Sequence, residues 1–452
     1  MKHIGVGSCC ALFASLLIGL PLVFAQSSAS SLAGEPVRLT VAPNVSSPIA
    51  MKTLPKAVCL LHAEGDSDVA HSFKVFANDE GMIRFQVRPS AESEQIARLA
   101  VDCAAGAKSS TFELELRSNA VPTLGMPAPQ PDVRTPQPGD VIRPALTEAE
   151  AHALSGEELV QRGYPVRPDE QQAPEAFAAW RQAVTKAARR VDARQVANPE
   201  VQHGRRIKAT LETETPNWGG FELKASAGTY DLVEGEWNIP TANYEANSHT
   251  YSALWVGLDG DHLTDLLQAG TEQDNQDLNF GFFHIYVTTY YAWSEFLPIQ
   301  PTEMELGNFA VSPGDLLYSE VWVGNAGQLP SLSGLFGIAF LEDVTRGEST
   351  YVYTCRGLTL NNNCTSLGQV NVGGSEAEWI MERPTVGGSL PDLTDYYEVY
   401  VNAAYAQQPN FTWVPYSAAN NDQILMFNGN DLLSMVYPWG TSEMLFYWDN
   451  WH

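Results

Sequence analysis

From about residue 216 to the C-terminus, apolar and polar residues alternate with the two-residue period of half-buried β-strands. These runs are rich in aromatic and β-branched residues, and Gly, Pro and Asn separate them. The clearest runs are YDLVEGEWNIP, HIYVTTYYAWSEF, LLYSEVWVG, STYVYT, EAEWIME and YYEVYVNAAY. So many strands, with so little helical periodicity, predict a mainly β protein whose C-terminal domain, residues 211–452, is an antiparallel β-sandwich.

The residues upstream of this domain have three different patterns. Residues 26–118 alternate in the β manner and predict a small β-sandwich of unknown role. Residues 119–145 are rich in proline and predict an extended linker. Residues 146–210 are helical and basic: Thr147 is a candidate N-cap, and APEAFAAWRQAVTKAARRVDAR predicts a long amphipathic helix. A basic helical segment before an acidic β-domain indicates a propeptide, with a helical linker as the alternative.

Residues 1–25 have the features of a secretory signal peptide. Lys2 precedes a short apolar stretch, and small residues precede an expected cut after Ala25. This stretch is too short to span a bilayer, and no later segment is long and apolar enough. We therefore expect a secreted protein, extracellular or periplasmic, with no membrane partner.

Removal of the signal peptide leaves four cysteines, namely Cys59, Cys103, Cys355 and Cys364. In an oxidising compartment we expect two disulfides, although the sequence leaves three pairings open. Pairing of neighbours, Cys59 with Cys103 and Cys355 with Cys364, is the simplest of them. Because no CxxC motif occurs and no histidine has ligand spacing around the cysteines, we expect no metal ion and no cofactor.

Charge changes the picture further. The chain has 26 Lys and Arg against 53 Asp and Glu, a net charge of −27. The only basic residues from residue 216 onward are Lys224, Arg346, Arg356 and Arg383. Nucleic acid is excluded as a partner because its phosphates would be repelled. An anionic surface also repels itself near neutral pH and relaxes as its carboxylates protonate, so the composition suits a protein that acts in acid.

Strand periodicity places carboxylate, amide and tryptophan side chains on the same side of several predicted strands. These residues are Trp255, Asp259, Gln268, Trp293, Glu295, Glu378 and Glu382. If their faces line one concave sheet, the groove suits glycoside hydrolysis by two carboxylates, binding of sugars or peptides without chemistry, or peptide hydrolysis with a carboxylate base and an amide donor. The few histidines and the missing GxSxG motif disfavour a serine triad.

Several short motifs resemble those of the glutamic peptidases, or eqolisins, which are acid proteases built on a lectin-like (concanavalin-like) β-sandwich. In order along the chain they are NWGGFEL (217–223), YDLVEGEWNIP (230–240), YSALWVGLDG with LLQAGT (251–271), YYAWSEFLP (290–298), VSPGD (311–315) and AEWIMERP (377–384). The segment before them is similar to the propeptide of bacterial members. Residues 26–145 fall outside the resemblance.

The resemblance implies a catalytic pair, Gln268 of LLQAG and Glu378 of AEW. Glu378 would be the general base on water, and the Gln268 amide would donate to the oxyanion. A near-normal glutamate pKa of about 4.3 would suit this base in acid. Periodicity alone does not separate Glu378 from Glu382, since both lie on one face.

Five further residues are predicted to line the substrate groove: Trp255, Asp259, Trp293, Glu295 and Glu382. For the two tryptophans the alternative is packing in the core. For Asp259 and Glu295 the alternatives are orientation of the site and hydrogen bonds within a turn.

The sequence therefore predicts a secreted, monomeric acid endopeptidase that is made as a precursor and cleaves polypeptides. The basic helical propeptide would block the anionic groove as an intramolecular inhibitor, and acid would release it. A carbohydrate-binding or glycoside-cleaving lectin-like protein is the alternative, because it would use the same groove.

Overall fold

The computed structural model of the protein describes residues 24–25, 37–41, 47–63, 73–77, 81–89, 95–118, 139–243, 249–279, 284–323, 337–353 and 372–449. Most of the described secondary structure is β-strand, and three short helices lie between the N-terminal and C-terminal groups of strands. The predicted linker (except residues 139–145), Cys355, Cys364 and all of the predicted signal peptide but Phe24–Ala25 lie outside the described residues.

The N-terminal strands are β1 (Phe24–Ala25), β2 (Val37–Val41), β3 (Ser47–Lys52), β4 (Val58–Ala63), β5 (Phe73–Phe76), β6 (Met82–Pro89), β7 (Gln95–Ala105) and β8 (Lys108–Ser118). The middle elements are β9 (Val141–Arg143), α1 (Glu148–Ala153), α2 (Gly156–Gln161), α3 (Pro174–Val184), β10 (Ala188–Arg190), β11 (Gln195–Asn198) and β12 (Val201–Gln202).

The C-terminal strands are β13 (Glu214–Thr215), β14 (Trp218–Lys224), β15 (Leu232–Asn238), β16 (Thr250–Leu258), β17 (Leu266–Asn279), β18 (His284–Leu297), β19 (Glu303–Leu306), β20 (Leu316–Val323), β21 (Gly337–Asp343), β22 (Glu348–Tyr353), β23 (Glu376–Glu382), β24 (Thr385–Val386), β25 (Asp392–Leu393), β26 (Glu398–Gln407), β27 (Trp413–Pro415), β28 (Asn421–Asn428), β29 (Asp431–Pro438) and β30 (Met444–Trp448).

The N-terminal strands form two layers around their own apolar core. One layer is a five-stranded sheet in the order β2-β8-β7-β4-β5, and a disulfide joins Cys59 to Cys103 across β4 and β7, which confirms that predicted pair. The other layer contains β3 and β6, and β6 pairs with β18 of the C-terminal domain. Ile285 and Val287 of β18 therefore belong to the same core.

The C-terminal domain is the predicted β-sandwich, made of two antiparallel sheets. We call the sheet with the order β28-β14-β23-β16-β17-β18-β19 the groove sheet. The back sheet runs β22-β21-β20-β15-β26-β30-β29-β28, so β28 pairs into both sheets. Leu254 and Val256 of the groove sheet pack against Val233 and Trp237 of the back sheet. Residues of opposite parity on the groove sheet therefore face outward.

The helical segment covers the outer face of the back sheet. Phe177, Trp180 and Val184 of α3 are buried in one apolar cluster with Tyr318 and Trp322 of β20. The helices begin where their capping residues predict: α1 has a capping box with the expected N-cap Thr147, and α2 has another.

The predicted long helix, by contrast, is wrong at its C-terminal end. Helix α3 ends at Val184, and Ala188–Arg190 forms the strand β10. This strand pairs with β9 and β22 at the edge of the back sheet, and Arg189 contacts Glu348 at 2.7 Å. Edge pairing thus outweighs the helical propensity of residues 186–194. None of the described helices is long and apolar enough to cross a membrane.

Candidate active site

One register row of the groove sheet contains both predicted catalytic residues. Across β14, β23, β16, β17 and β18 the row reads Glu222, Glu378, Gly257, Gln268 and Glu295. Gln268 and Glu378 therefore extend from the same face, two strands apart, with only a glycine between them. At about 4.8 Å per strand their backbones are separated by roughly 10 Å.

Gly257 keeps this gap open. A Cβ atom at this position would lie 2.7 Å from the Trp255 ring and 2.9 Å from the carbonyl oxygen of Leu267, closer than side-chain packing allows. A larger residue would therefore displace Trp255 or the strand that holds Gln268.

Two further rows complete the face. The next row contains Trp255, Gly270 and Trp293, and the row after it contains Glu382 and Glu272. Trp255 donates its indole N–H to Glu382 at 2.8 Å. The groove sheet thus presents tryptophans between two rows of acids, as periodicity predicts.

An upstream segment of the chain, residues 200–208, crosses this groove in an extended form; we call it the groove segment. At one end Val201–Gln202 pairs with Thr385–Val386. At the other end Asn217 binds the segment twice, accepting from the backbone N–H of Ile207 at 2.9 Å and donating to the Arg205 carbonyl at 3.1 Å. The segment is therefore held along its length mainly through its own backbone, which is how an extended peptide substrate is bound.

The middle of the groove segment meets the predicted catalytic amide. Gln268 Nε2 donates to the His203 carbonyl oxygen at 2.6 Å. The backbone N–H of His203 donates to Glu295 at 2.8 Å, and Trp218 donates its indole N–H to the Gly204 carbonyl at 3.1 Å. The carbonyl of the His203–Gly204 peptide bond thus lies where an oxyanion donor would polarise it.

Glu378 is buried, and among the described residues neither of its carboxylate oxygens has a hydrogen-bond partner. Burial, together with the charges of Glu222, Glu376, Asp259 and Asp261, raises the pKa of Glu378 well above its ordinary value. This differs from the near-normal pKa expected from the sequence. Burial, which disfavours the ionised form, is the main cause, and the neighbouring acids add to it.

The side chain of His203 occupies an acidic pocket. Its Nε2 lies 2.8 Å from Glu303 and 2.9 Å from Glu272, and its Nδ1 lies 3.3 Å from Glu382. The ring stacks on Trp293 with centroids 3.5 Å apart and 9° between the planes. Burial acts to lower the pKa of His203, but the three carboxylates raise it well above its ordinary value.

Arg206 enters a second acidic pocket at the other end of the groove segment. Its Nη1 lies 2.7 Å from Glu222 and 3.4 Å from Asp261, and Lys224 contacts the same two carboxylates at 2.7 and 3.2 Å. Burial and the charge of Asp261 raise the pKa of Glu222 to about 7, although the two cations act in the opposite direction. Two basic side chains of the groove segment are thus inserted among acids of the groove sheet.

The structure brings four of the five predicted groove residues together around the groove segment. Trp293 stacks on the ring of His203. Glu295 and Glu382 form hydrogen bonds with His203, and Trp255 donates a hydrogen bond to Glu382. Burial raises the pKa of Glu295 to about 8, while His203 lowers it.

Asp259 is placed differently. Its carboxylate accepts hydrogen bonds from the backbone N–H groups of Gly374, Ser375 and Glu376, at 2.8 to 3.3 Å. This is the turn arrangement considered as an alternative, and it fixes the start of β23 two residues before Glu378. A substrate contact for Asp259 stays a prediction.

Sequence reasoning missed the residues that form the two acidic pockets. They are His203, Arg206, Trp218, Glu222, Glu272 and Glu303. Glu272 has the strand parity of Gln268, and Glu303 lies on the short adjacent strand β19, so periodicity could have included both. Nothing in the local sequence of residues 201–208 indicates that they enter a groove.

His203, Glu272 and Glu303 are also close enough to hold a metal ion, since one ligand atom from each lies within 4.8 Å of the others. The contacts of the imidazole with carboxylate oxygens already account for the cluster as an ion pair. The expectation that the protein needs no metal stays a prediction.

Comparison with known proteins identifies a family. The sequence profile described as "Peptidase A4 family" matches residues 216–443. No curated protein matches the chain. Among solved structures, scytalido-glutamic peptidase with a transition state analog inhibitor has a TM-score of 0.40 and 20% identity, and the same peptidase with a peptide-based analog has 0.38 and 21%.

SCP-B, an eqolisin in complex with the tripeptide Ala-Ile-His, has a TM-score of 0.37 and 18% identity. Each of the three comparisons covers 52% of this chain and 98% of the other chain. The family profile spans half of the sequence and contains both register positions described above, Gln268 and Glu378. The chain is a glutamic-type peptidase and belongs to the peptidase A4 family.

Proposed function

We propose that the protein is a secreted endopeptidase that acts in acid and uses Glu378 as the general base and Gln268 as the oxyanion donor. The observation that carries this proposal is the 2.6 Å hydrogen bond from the Gln268 amide to a peptide carbonyl held in the groove. Gln268 needs no ionisation to donate, so it works at any pH at which the fold is stable.

The proposed reaction is a single displacement by water. Glu378 takes a proton from a water molecule, whose oxygen bonds to the carbonyl carbon, and Gln268 donates to the oxyanion that forms. The carbon–nitrogen bond then breaks, and the proton held by Glu378 passes to the departing amine. Glu378 is favoured over Glu382 as the base because one oxygen of Glu382 accepts from Trp255 and faces His203, whereas Glu378 has no such partner among the described residues.

The groove segment is the proposed intramolecular inhibitor, in place of the basic helix. Helix α3 lies on the back sheet, whereas the groove segment contacts Gln268 through His203 and, through Arg206, contacts Glu222, the register neighbour of Glu378. While the groove segment is bound, the raised pKa of Glu378 disfavours the carboxylate form that a base needs, which slows the reaction. Acid protonates the pocket carboxylates and weakens their hold on His203 and Arg206. Water can then solvate Glu378 and lower its pKa.

Secretion is supported by two observations. The first 25 residues have the features of a signal peptide, and a buried disulfide joins Cys59 to Cys103. Disulfides of this kind persist in oxidising compartments.

Digestion of a reduced, denatured protein at about pH 3 to 4 tests the proposed reaction. We expect cleavage that pepstatin does not inhibit and that is lost in both Gln268→Ala and Glu378→Gln. The exposed Glu398→Gln is the matched control and should cleave at the wild-type rate. Release of sugar from polysaccharide without any proteolysis would instead support the carbohydrate-active alternative.

A further inference from the structure

We infer that the pocket formed by Trp293, Glu272, Glu303 and Glu382 is the specificity pocket for the residue on the amino side of the cleaved bond, and that it selects a cationic side chain. This inference rests on the proposed function, because it takes Gln268 as the donor to the reacting carbonyl. It names the substrate class: polypeptides with histidine or another basic residue at that position.

The position of the pocket follows from one hydrogen bond. The carbonyl that Gln268 contacts belongs to His203, so the side chain of His203 is the one that precedes the polarised peptide bond. The backbone N–H of the same residue donates to Glu295 at 2.8 Å, which fixes its direction. Any substrate bound in the same way would place its own side chain where the imidazole lies.

The chemistry of the pocket distinguishes charge rather than shape. Both ring nitrogens of His203 face carboxylate oxygens, and an ionised carboxylate only accepts hydrogen bonds. An imidazolium donates from both nitrogens and so satisfies oxygens on both sides at once, which a neutral ring with one N–H cannot do. A neutral side chain would leave three buried carboxyl groups without this partner, and an acidic side chain would add a like charge.

The pocket keeps its form through contacts that do not involve His203. Trp255 holds Glu382 at 2.8 Å, and Asn198 donates to Glu303 at 3.2 Å. Asn198 is itself held by the pairing of β11 with β19. Glu382 and Glu303 are thus oriented before a substrate arrives, which favours selection by charge.

Trp293 forms the flat wall of the pocket, and it discriminates between side chains less than the three acids do. Its ring stacks on His203 at 3.5 Å, and an imidazolium gains a cation–π contribution there. A phenyl ring would also stack on it without gaining anything from the acids. A comparison of histidine with phenylalanine therefore isolates the effect of Glu272, Glu303 and Glu382.

The same geometry makes His203–Gly204 the bond that the chain itself presents to its active site. Gly204 follows His203, so the first residue of the leaving group has no side chain. Hydrolysis of this bond would break the covalent link between residues 1–203 and the catalytic sandwich. Helix α3 would stay bound to the back sheet through the apolar cluster around Trp180 and Trp322.

Four peptides test the inference, each with the sequence of residues 201–206 and with histidine, phenylalanine, lysine or norleucine at the position of His203. The full chain is first activated in acid and then assayed at about pH 5 with EDTA present. We expect kcat/KM for histidine to exceed that for phenylalanine, and lysine to exceed norleucine, by at least about tenfold, because a site built to pair with a polar group discriminates against an analogue that lacks it. In a Glu272→Gln, Glu303→Gln double variant both ratios should fall below about threefold, whereas Glu398→Gln should keep them.

The possible failures are distinguishable. If the wild type cleaves the neutral peptides as well as the basic ones, the specificity inference is wrong and the proposed function stands. If no peptide is cleaved, or if Gln268→Ala cleaves them at the wild-type rate, the proposed function itself is wrong. The wild-type ratios decide the inference even if the double variant does not fold.

Discussion

Removal of one buried carboxyl group should make this protein more stable at neutral pH. Glu236 lies on the outer face of the back sheet and is 8% exposed, and its Oε2 has no hydrogen-bond partner among the described residues. Burial raises its pKa from an ordinary value near 4.5 to about 7, while the charge of Lys186 acts in the opposite direction. The perturbation we consider is Glu236→Gln, which keeps the shape of the side chain and removes its charge.

The sign follows from linkage between protonation and folding. Below about pH 4 the carboxyl is protonated in both the folded and the unfolded chain, so its ionisation has no effect on stability. Between its unfolded pKa and its folded pKa the unfolded chain loses the proton first, and the free energy of unfolding falls as pH rises. A shift from about 4.5 to about 7 corresponds to about 3 kcal/mol at pH 8, at 1.36 kcal/mol per unit.

Urea unfolding followed by tryptophan fluorescence measures this difference. Both chains carry Gln268→Ala so that neither digests itself. The Glu236→Gln chain should match its parent at pH 4 and exceed it by about 3 kcal/mol at pH 8, a midpoint shift of about 1 M urea. The exposed Glu398→Gln should change neither value. Equal midpoints at pH 8, or a lower one for Glu236→Gln, would refute this reasoning.

Three further changes have defined outcomes. Trp180→Ala should destabilise the helical cover of the back sheet by about 3–5 kcal/mol and expose residues 146–190 to limited proteolysis; a resistant segment would contradict that packing. Replacement of Cys59 and Cys103 by serine should cost the N-terminal sheet about 2–4 kcal/mol in thermal unfolding, and an unchanged transition would contradict this. Arg206→Ala removes the contact of the groove segment with Glu222, which keeps Lys224 as its other partner, so self-processing near pH 5 should become several-fold faster by gel assay; slower processing would contradict the inhibitory role.

Strand periodicity predicted the groove face because its cause is local. Successive side chains of a strand point to opposite sides, and the apolar partners Leu267 and Trp379 require a core on one side. Gln268 and Glu378 are therefore placed outward by their own neighbours. Periodicity within a strand does not determine the register between strands, however. The row in which Gln268 and Glu378 flank Gly257 is set by the pairing of β16 with β17 and β23.

The remaining features depend on contacts far apart in the chain. The helical propensity of residues 186–194 is a local property. The strand β10 forms instead because β9 and β22, which are distant in sequence, provide backbone hydrogen-bond partners. Gln268 and Trp293 both contact His203, which lies in a segment far upstream of them in the chain. No pattern within a strand encodes which segment covers it.

Intact-mass analysis of the acid-treated full chain tests the central claim most directly. Wild-type protein held at about pH 4 should yield a product that begins at Gly204, and Gln268→Ala should form it about 10²–10³ times more slowly, since it lacks one oxyanion donor. Glu378→Gln should remain whole over the same period. The same product formed at the same rate in all three proteins would contradict catalysis by Gln268 and Glu378.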